Sequence, residues 1–391
     1  MPTRNCFFKI MSSNYKVASL FCGCGGIDLG LQGGFELPYQ PKGSIERLKF
    51  DVIWANDFNP KAIESYRANF QGHYAICGDI VKVVRKAKGL RKRKHLRVEA
   101  ELPASSGLQA EGGSFQFPGW NEVDVVTGGF PCQPFSLAGK RKGLKDKRGK
   151  LYKAMLNVVN MLRPKLFIAE NVAGLMSAEV KGVLVIEKIR ADFKKIGYRL
   201  KERVYVASSF GVPQRRERVI MIGVPNRTPD FDFEEIKPAP GIKEHITLRD
   251  GIRSYEGHPW DKESLHVWSR AGLNKGQGNT TCASDDFAPT MRAEHHGNIE
   301  FHYSETDDHE DAVKSIHDHR KVRTRRLSVR EAALIQSFPM DFKFKHSATD
   351  AYRQIGNAVP PLLAWHVGRA VQAYLDKVVK KPKSTGKNNK K

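Results

Sequence analysis

The chain has 391 residues, 27% of them charged and 40% hydrophobic. That is enough to bury a full core and divide into two domains, and the absence of an apolar run of about 18 residues excludes a membrane span. Sixty-five Lys and Arg against 42 Asp and Glu leave a net charge of +23, the balance of a protein with a polyanionic partner.

Residues 17–21 (VASLF) form a short apolar run ending in glycines and predict a buried strand. Residues 51–55 (DVIWA) predict a second strand, followed by a helical pattern over 60–70. Residues 81–97 hold nine Lys and Arg and no acid, and a Ser/Gly-rich stretch follows, so 81–122 reads as an inserted surface loop. Further strands are predicted at 123–126, 165–169, 203–206 and 218–222, with an amphipathic helix over 151–162. Strands separated by helices predict a doubly wound α/β sheet, with the ligand at the carboxyl ends of the strands.

Composition changes at 225–322, where 19 acids face 12 Lys and Arg and nine of the 13 histidines collect. This predicts a second, smaller domain after a first domain over 1–224. Residues 323–376 read as helices at 328–337 and 362–379, with Ser328 and Glu331 spaced as a capping box. The tail 377–391 holds seven Lys and no acid, and with 81–97 it supplies most of the excess charge. Both segments suit salt-dependent attraction to phosphates. The six cysteines do not form a disulfide pattern, and the start of the chain lacks the apolar core of a secretory signal, so a cytoplasmic setting is expected. The histidine spacings match no common zinc pattern, and no metal is expected.

The densest signal is residues 128–136 (GGFPCQPFS), which hold Cys132 between two prolines, behind two glycines and after a strand. A cysteine in a stiff loop at a strand end is placed for chemistry, although a lone cysteine is more often packing. The loop 21–26 (FCGCGG) follows the first strand, and its glycines let backbone approach a bound nucleoside. Its spacing is not G-x-G-x-x-G, so a nucleoside without phosphates fits better than a dinucleotide. Asp57 follows the second strand and suits either ribose hydroxyls or a helix N-cap, and Asp79 suits an exocyclic amine. Glu170, after the fourth strand, is expected to be partly buried with a raised pKa, able to share a proton with a ring nitrogen or to form a structural salt bridge. Gln214, Arg216 and Arg218 alternate on one strand face, where arginines can pair with Glu170, meet a base oxygen or phosphate, or remain solvated. The motif 353–360 (RQIGNAVP) contains a Gly-Asn turn before a helix that a simple linker does not explain.

Six blocks stand in order: FxGxGG at 21–26, PCQ at 131–133, ENV at 170–172, QRRER at 214–218, RLSVREAALIQSFP at 326–339 and QIGNAVP at 354–360. Together they resemble the DNA (cytosine-5)-methyltransferases of the bacterial restriction-modification type. The resemblance implies a Rossmann-like sheet binding S-adenosylmethionine, with a smaller, irregular or β target-recognition domain at 225–322. It implies that Cys132 adds to C6 of a cytosine flipped out of double-stranded DNA, with Glu170 at N3 and the amino group and with Arg216 and Arg218 near O2. It carries cofactor contacts to Phe21, Gly23, Gly25, Gly26, Asp57, Phe58, Asp79, Leu151, Asn357 and Val359. It carries substrate contacts to Phe130, Pro131, Gln133, Ser136 and Gln214, with 140–148 as a lid. Within the recognition domain, 279–303 and its Arg292 have the side-chain mix of a major-groove reader. The expected partners are double-stranded DNA, bound by a monomer, and a cognate endonuclease acting independently.

Two other readings compete. A tRNA cytosine-5 methyltransferase usually shows Pro-Pro-Cys, where this chain has Phe130-Pro131-Cys132. A DNA-binding regulator without activity predicts loss of Cys132 or Glu170, and both are present.

Overall fold

A computed structural model describes residues 14–90, 98–101, 109–110, 114–130, 151–253, 280–282, 285–292, 301–304, 324–325 and 327–380. Its strands are β1 (Tyr15–Leu20), β2 (Phe50–Asp57), β3 (Tyr74–Cys77), β4 (Val98–Glu101), β5 (Gln109–Ala110), β6 (Ser114–Phe117), β7 (Val125–Gly128), β8 (Leu166–Val172), β9 (Glu179–Val180), β10 (Val183–Leu184), β11 (Tyr198–Val206), β12 (Glu217–Pro225), β13 (Thr280–Cys282), β14 (Phe301–Ser304) and β15 (Thr324–Arg325). Its α-helices are α1 (Gly26–Gln32), α2 (Pro60–Asn69), α3 (Ile80–Leu90), α4 (Leu151–Leu162), α5 (Val185–Lys195), α6 (Leu248–Arg253), α7 (Val329–Ile335), α8 (Ala348–Asn357) and α9 (Pro361–Lys380).

The main sheet runs β11-β12-β8-β7-β1-β2-β3-β5. From β8 to β3 all neighbours are parallel, while β12 is antiparallel to both β8 and β11. Chain order reverses between β1 and β7, so a crevice opens beyond Leu20 and Gly128, where such sheets bind ligands. Alternation along the strands divides the core. Val17, Val125, Ile168 and Ile220 pack toward α1 and α9, whereas Ala18, Val126, Phe167 and Val219 pack toward α3, α4 and α5. A third cluster joins α2 to α7, α8 and residues Ala288 and Met291.

Three expectations need correction. The segment 81–122 is not wholly a surface insertion. Ile80, Val83, Val84 and Ala87 form a helical stripe on the core, and Phe115 and Phe117 are fully buried; the lysines between them mask that period in the sequence. A domain boundary at 225 is also displaced. Phe231, Phe233, Ile236, Ala239, Ile242 and Ile246 belong to the same core cluster as β1 and α9, and Leu248 and Ile252 to the third. The small sheet β13-β14-β15 lies beyond that stretch. Finally, Gly356-Asn357 is no turn. It closes the last turn of α8, a helix that the sequence reading did not find. The capping box does form: the Ser328 hydroxyl accepts from the Glu331 N–H at 3.2 Å, and the Ser328 N–H donates to Glu331 Oε2 at 2.8 Å.

Candidate active site

Glu170 and Arg218 meet because of register. In the antiparallel β8·β12 pair, Arg218 stands opposite Val172 and Glu170 opposite Ile220, so the two side chains are diagonal neighbours on one face. Arg218 Nε donates to Glu170 Oε1 at 2.8 Å, and its Nη1 donates to the Glu217 carbonyl at 2.7 Å. Both side chains are close to nine-tenths buried. Burial pushes the Glu170 carboxyl above its ordinary range, against the pull of Arg218 and Arg216. A carboxyl so placed can hold or share a proton with a ring nitrogen.

The loop that carries Cys132 starts against this pair. A Cβ on Gly129 would lie 2.8 Å from Glu170 Oε2, so a side chain at that position would have to displace the carboxylate. Asn171 points to the other face of β8. Its Nδ2 donates to the Phe130 carbonyl at 2.9 Å, and its Oδ1 accepts from the Val172 N–H at 2.9 Å. The Phe130 carbonyl, expected to face a base, thus already has one donor. Asn171 was not among the expected site residues, although strand alternation places it on the face opposite Glu170. Pro131, Cys132, Gln133, Ser136 and the segment 140–148 lie outside the described residues.

Gln214 and Arg216 do not join Glu170 in an open site. Arg216 is fully buried; its Nη1 donates to the Met291 carbonyl at 2.7 Å, and its Nη2 to the carbonyls of Gly356 and Ala358 at 2.7 and 2.9 Å. Gln214 is equally buried, donating to Gln336 Oε1 at 2.6 Å and accepting from the Met291 N–H at 3.1 Å. Gln336 in turn donates to the carbonyls of Ile355 and Ala358 at 3.1 and 2.7 Å. The Ile355 carbonyl also accepts from the Ala358 N–H at 3.1 Å, but carbonyls at the carboxyl end of a helix have no following turn to supply donors, and a buried one must find a donor elsewhere. The physical reason for the correction is therefore helix capping at a distance, which a strand pattern cannot reveal. Gln336 lies inside a quoted block, but no sequence signal marked it.

On the cofactor side, β1 is followed by Phe21 at φ 53, a left-handed conformation that L residues adopt only under constraint. The constraint comes partly from Asp57, which accepts from the Gly23 N–H at 2.9 Å and the Asn59 N–H at 2.8 Å. Asp57 therefore ties the two loops together, and the N-cap of α2 is Asn59. A Cβ on Gly26 would lie 2.4 Å from the Val359 carbonyl, so this glycine lets α1 seat on the 358–359 segment. A Cβ on Gly23 would meet nothing within 4 Å, so the loop faces open space there. Gly25 is buried against Phe70 and Tyr66. The Phe58 ring is 70% exposed, Asn357 and Asp79 are exposed, Leu151 is half-buried and Val359 is buried.

Asp28, in the first turn of α1, is fully buried, and no hydrogen bond of ordinary geometry reaches either oxygen among the described residues. Burial raises its pKa to about 6, opposed by the nearby Ser19 and Tyr66 hydroxyls. Burial also raises Asp57, against its backbone donors. Among the described residues Asp57 has no ion-pair partner, and it is tied to the open Gly23 loop next to the exposed Phe58 ring, a carboxylate acceptor and a stacking face that suit an adenosyl sulfonium. The residues present therefore fit S-adenosylmethionine.

A cavity of about 420 Å³, lined by Ala173, Val206, Ser208, Arg215, Glu217 and Thr290, flanks the Glu170 end of the sheet. Arg215 pairs with Asp286 at 2.9 Å on one side of it, and Thr290 Oγ1 donates to the Arg215 carbonyl at 2.6 Å. Arg292 is exposed just beyond.

Comparison with known proteins completes this picture. Residues 15–373 match the family described as C-5 cytosine-specific DNA methylase. The Type II methyltransferase M.NgoFVII of Neisseria gonorrhoeae is 33% identical, over 90% of this chain and 84% of its own. The Type II methyltransferase M.BspRI of Lysinibacillus sphaericus is 32% identical, over 93% and 82%. In structure, the S. pombe Dnmt2 methyltransferase superposes with a TM-score of 0.62 at 18% identity, over 93% of this chain and 99% of that one, which shows the shared fold. Family and relatives favour DNA over the tRNA reading. The chain belongs to the C-5 cytosine-specific DNA methylase family and is a DNA (cytosine-5)-methyltransferase that draws its methyl group from S-adenosylmethionine.

Proposed function

We propose that the protein is the modification enzyme of a restriction-modification system, methylating one cytosine within a short duplex sequence through a covalent adduct on Cys132. The observation that carries this reading is the buried Glu170–Arg218 pair packed against Gly129, with neighbouring Asn171 holding Phe130, the two residues that lead into Cys132. Cytosine C5 is a poor nucleophile. Addition of the Cys132 thiolate to C6 forms an S–C6 bond and makes C5 an enamine carbon. Glu170 holds N3 and the exocyclic amine, and Arg218 fixes that carboxyl while facing O2, so charge developing on the ring is met by preset groups. Bound S-adenosylmethionine supplies the electrophilic methyl group. Loss of the C5 proton and departure of the thiolate then restore the ring.

In this reading Phe21, Gly23, Asp57, Phe58, Asp79, Leu151, Asn357 and Val359 surround the donor, and Phe58 offers its exposed ring to the adenine. Pro131, Gln133 and Ser136 hold the flipped nucleotide, and Arg292 with the sheet β13-β14-β15 belongs to the region that reads sequence. The enzyme works as a cytoplasmic monomer on double-stranded DNA, alongside an independent endonuclease. Bisulfite sequencing of DNA from a host expressing the protein tests activity and maps the site together. One recurrent sequence should carry 5-methylcytosine, and Cys132→Ala should abolish it. Methylation that survives in Cys132→Ala would rule out the adduct.

A further inference from the structure

Met291 and the helix end at Gly356–Ala358 are joined by two parallel bridges. Arg216 spans from the Met291 carbonyl to those of Gly356 and Ala358 at 2.7–2.9 Å. Gln214 and Gln336 span from the Met291 N–H to the Ala358 carbonyl. Backbone bonds extend the joint on the recognition side: the Arg215 N–H donates to the Ala288 carbonyl at 2.7 Å, and the Ala288 N–H to the Pro213 carbonyl at 3.0 Å. On the other side the 358–359 segment abuts Gly26, with no room for a methyl group between them. A buried guanidinium is costly unless its donors are used; Arg216 gives three hydrogen bonds to these carbonyls, while its Nε has no partner among the described residues, so the three carbonyls and Arg216 hold one another in place. Arg218, two residues along, faces Glu170 instead.

We propose that Arg216, with Gln214 and Gln336, is a positioning clamp that couples the cofactor side of the site to the 285–292 segment on the DNA side, so that donor and DNA strengthen each other's binding. This rests on the proposed reading that Asn357 and Val359 border the donor and that the 285–292 segment borders DNA. A shift of the 356–359 backbone on donor binding reaches Met291 through side chains with no slack, and linkage makes the effect reciprocal.

The test uses the full chain, S-adenosylhomocysteine as an inert probe, and a duplex carrying the methylated site mapped by bisulfite sequencing. In the wild type, saturating S-adenosylhomocysteine should tighten duplex binding by about tenfold, and saturating duplex should tighten S-adenosylhomocysteine binding by the same factor. In Arg216→Lys and, separately, Gln214→Met, the factor should fall to within about twofold of unity while each ligand alone binds within about threefold of wild type. Melting temperature identifies any variant that does not fold, and Gln336→Met then replaces it. Unchanged coupling in the folded variants, no coupling in the wild type, or equal loss of both separate affinities would overturn the clamp. A wild type that leaves no methylated site would instead overturn the functional reading beneath it.

Discussion

The two halves of the site handle buried charge differently. On the base side, Glu170 has a guanidinium 2.8 Å away and a second arginine nearby. On the cofactor side, Asp57 is held by backbone N–H groups, and no hydrogen bond of ordinary geometry reaches Asp28 among the described residues. The base side is internally neutralised, so its carboxyl can exchange a proton with a ring that gains and loses charge. The cofactor side keeps unneutralised negative charge, which a sulfonium ligand offsets. The difference teaches that one cleft can present two electrostatic characters a few residues apart, set by which strand ends supply arginine.

Three substitutions probe this contrast, from the largest effect to the smallest. Glu170→Gln keeps the shape but removes the proton, and should lower kcat by about 10²- to 10³-fold with DNA affinity retained. The pH profile adds a sign. Because burial raises Glu170, a step that uses its protonated form is full below that pKa and declines as pH rises through it. Glu170→Gln should therefore lose that decline on the alkaline side, and a variant profile parallel to wild type would break the contrast.

Asp57→Asn replaces one acceptor with a donor facing a backbone N–H. It should raise the KM for S-adenosylmethionine by about tenfold, the cost of one unpaired buried group, with kcat little changed. Steady-state kinetics at saturating DNA would show it, and a loss confined to kcat would count against a cofactor-side role.

Asp28→Asn should have the smallest effect on turnover and, on stability, the opposite sign, because it stabilises. A carboxyl raised to about 6 in the fold but titrating near 3.9 when unfolded favours folding fully only below its unfolded pKa. Stability is lost as pH rises from about 4 to 6, so the amide should gain ~3 kcal/mol at pH 7–8 and flatten that slope. Urea melts at pH 4, 6 and 8 would measure it, and a slope equal to wild type would place the lost stability elsewhere.

Much of this was legible in the sequence for definite reasons. Strand ends followed by Gly, Asp or Glu announced the crevice, since buried strands are apolar and ligand-facing ends are not. The capping box needed only Ser328 and Glu331. What stayed hidden depends on contacts far apart in the chain. Arg216 and Arg218 look alike in QRRER, yet one caps a helix that begins 132 residues later and the other meets a neighbouring strand. The apolar stripe of α3 was covered by its lysines, and α8 was disguised by Gly356 and Asn357, which read as a turn.

The run from Phe231 to Ile252 has a practical meaning for how sequence preference can change hands. Because those side chains sit in the core beneath β1, α2 and α9, a chimera joined at residue 225 would import a stranger's core as well as its recognition surface. A crossover placed after Arg253 and before Leu327 keeps that run intact, and then only Ala288 and Met291, which join the third cluster, need matching among the described core residues. Among relatives, inheritance of new specificity by recombination should favour breakpoints inside that narrower window.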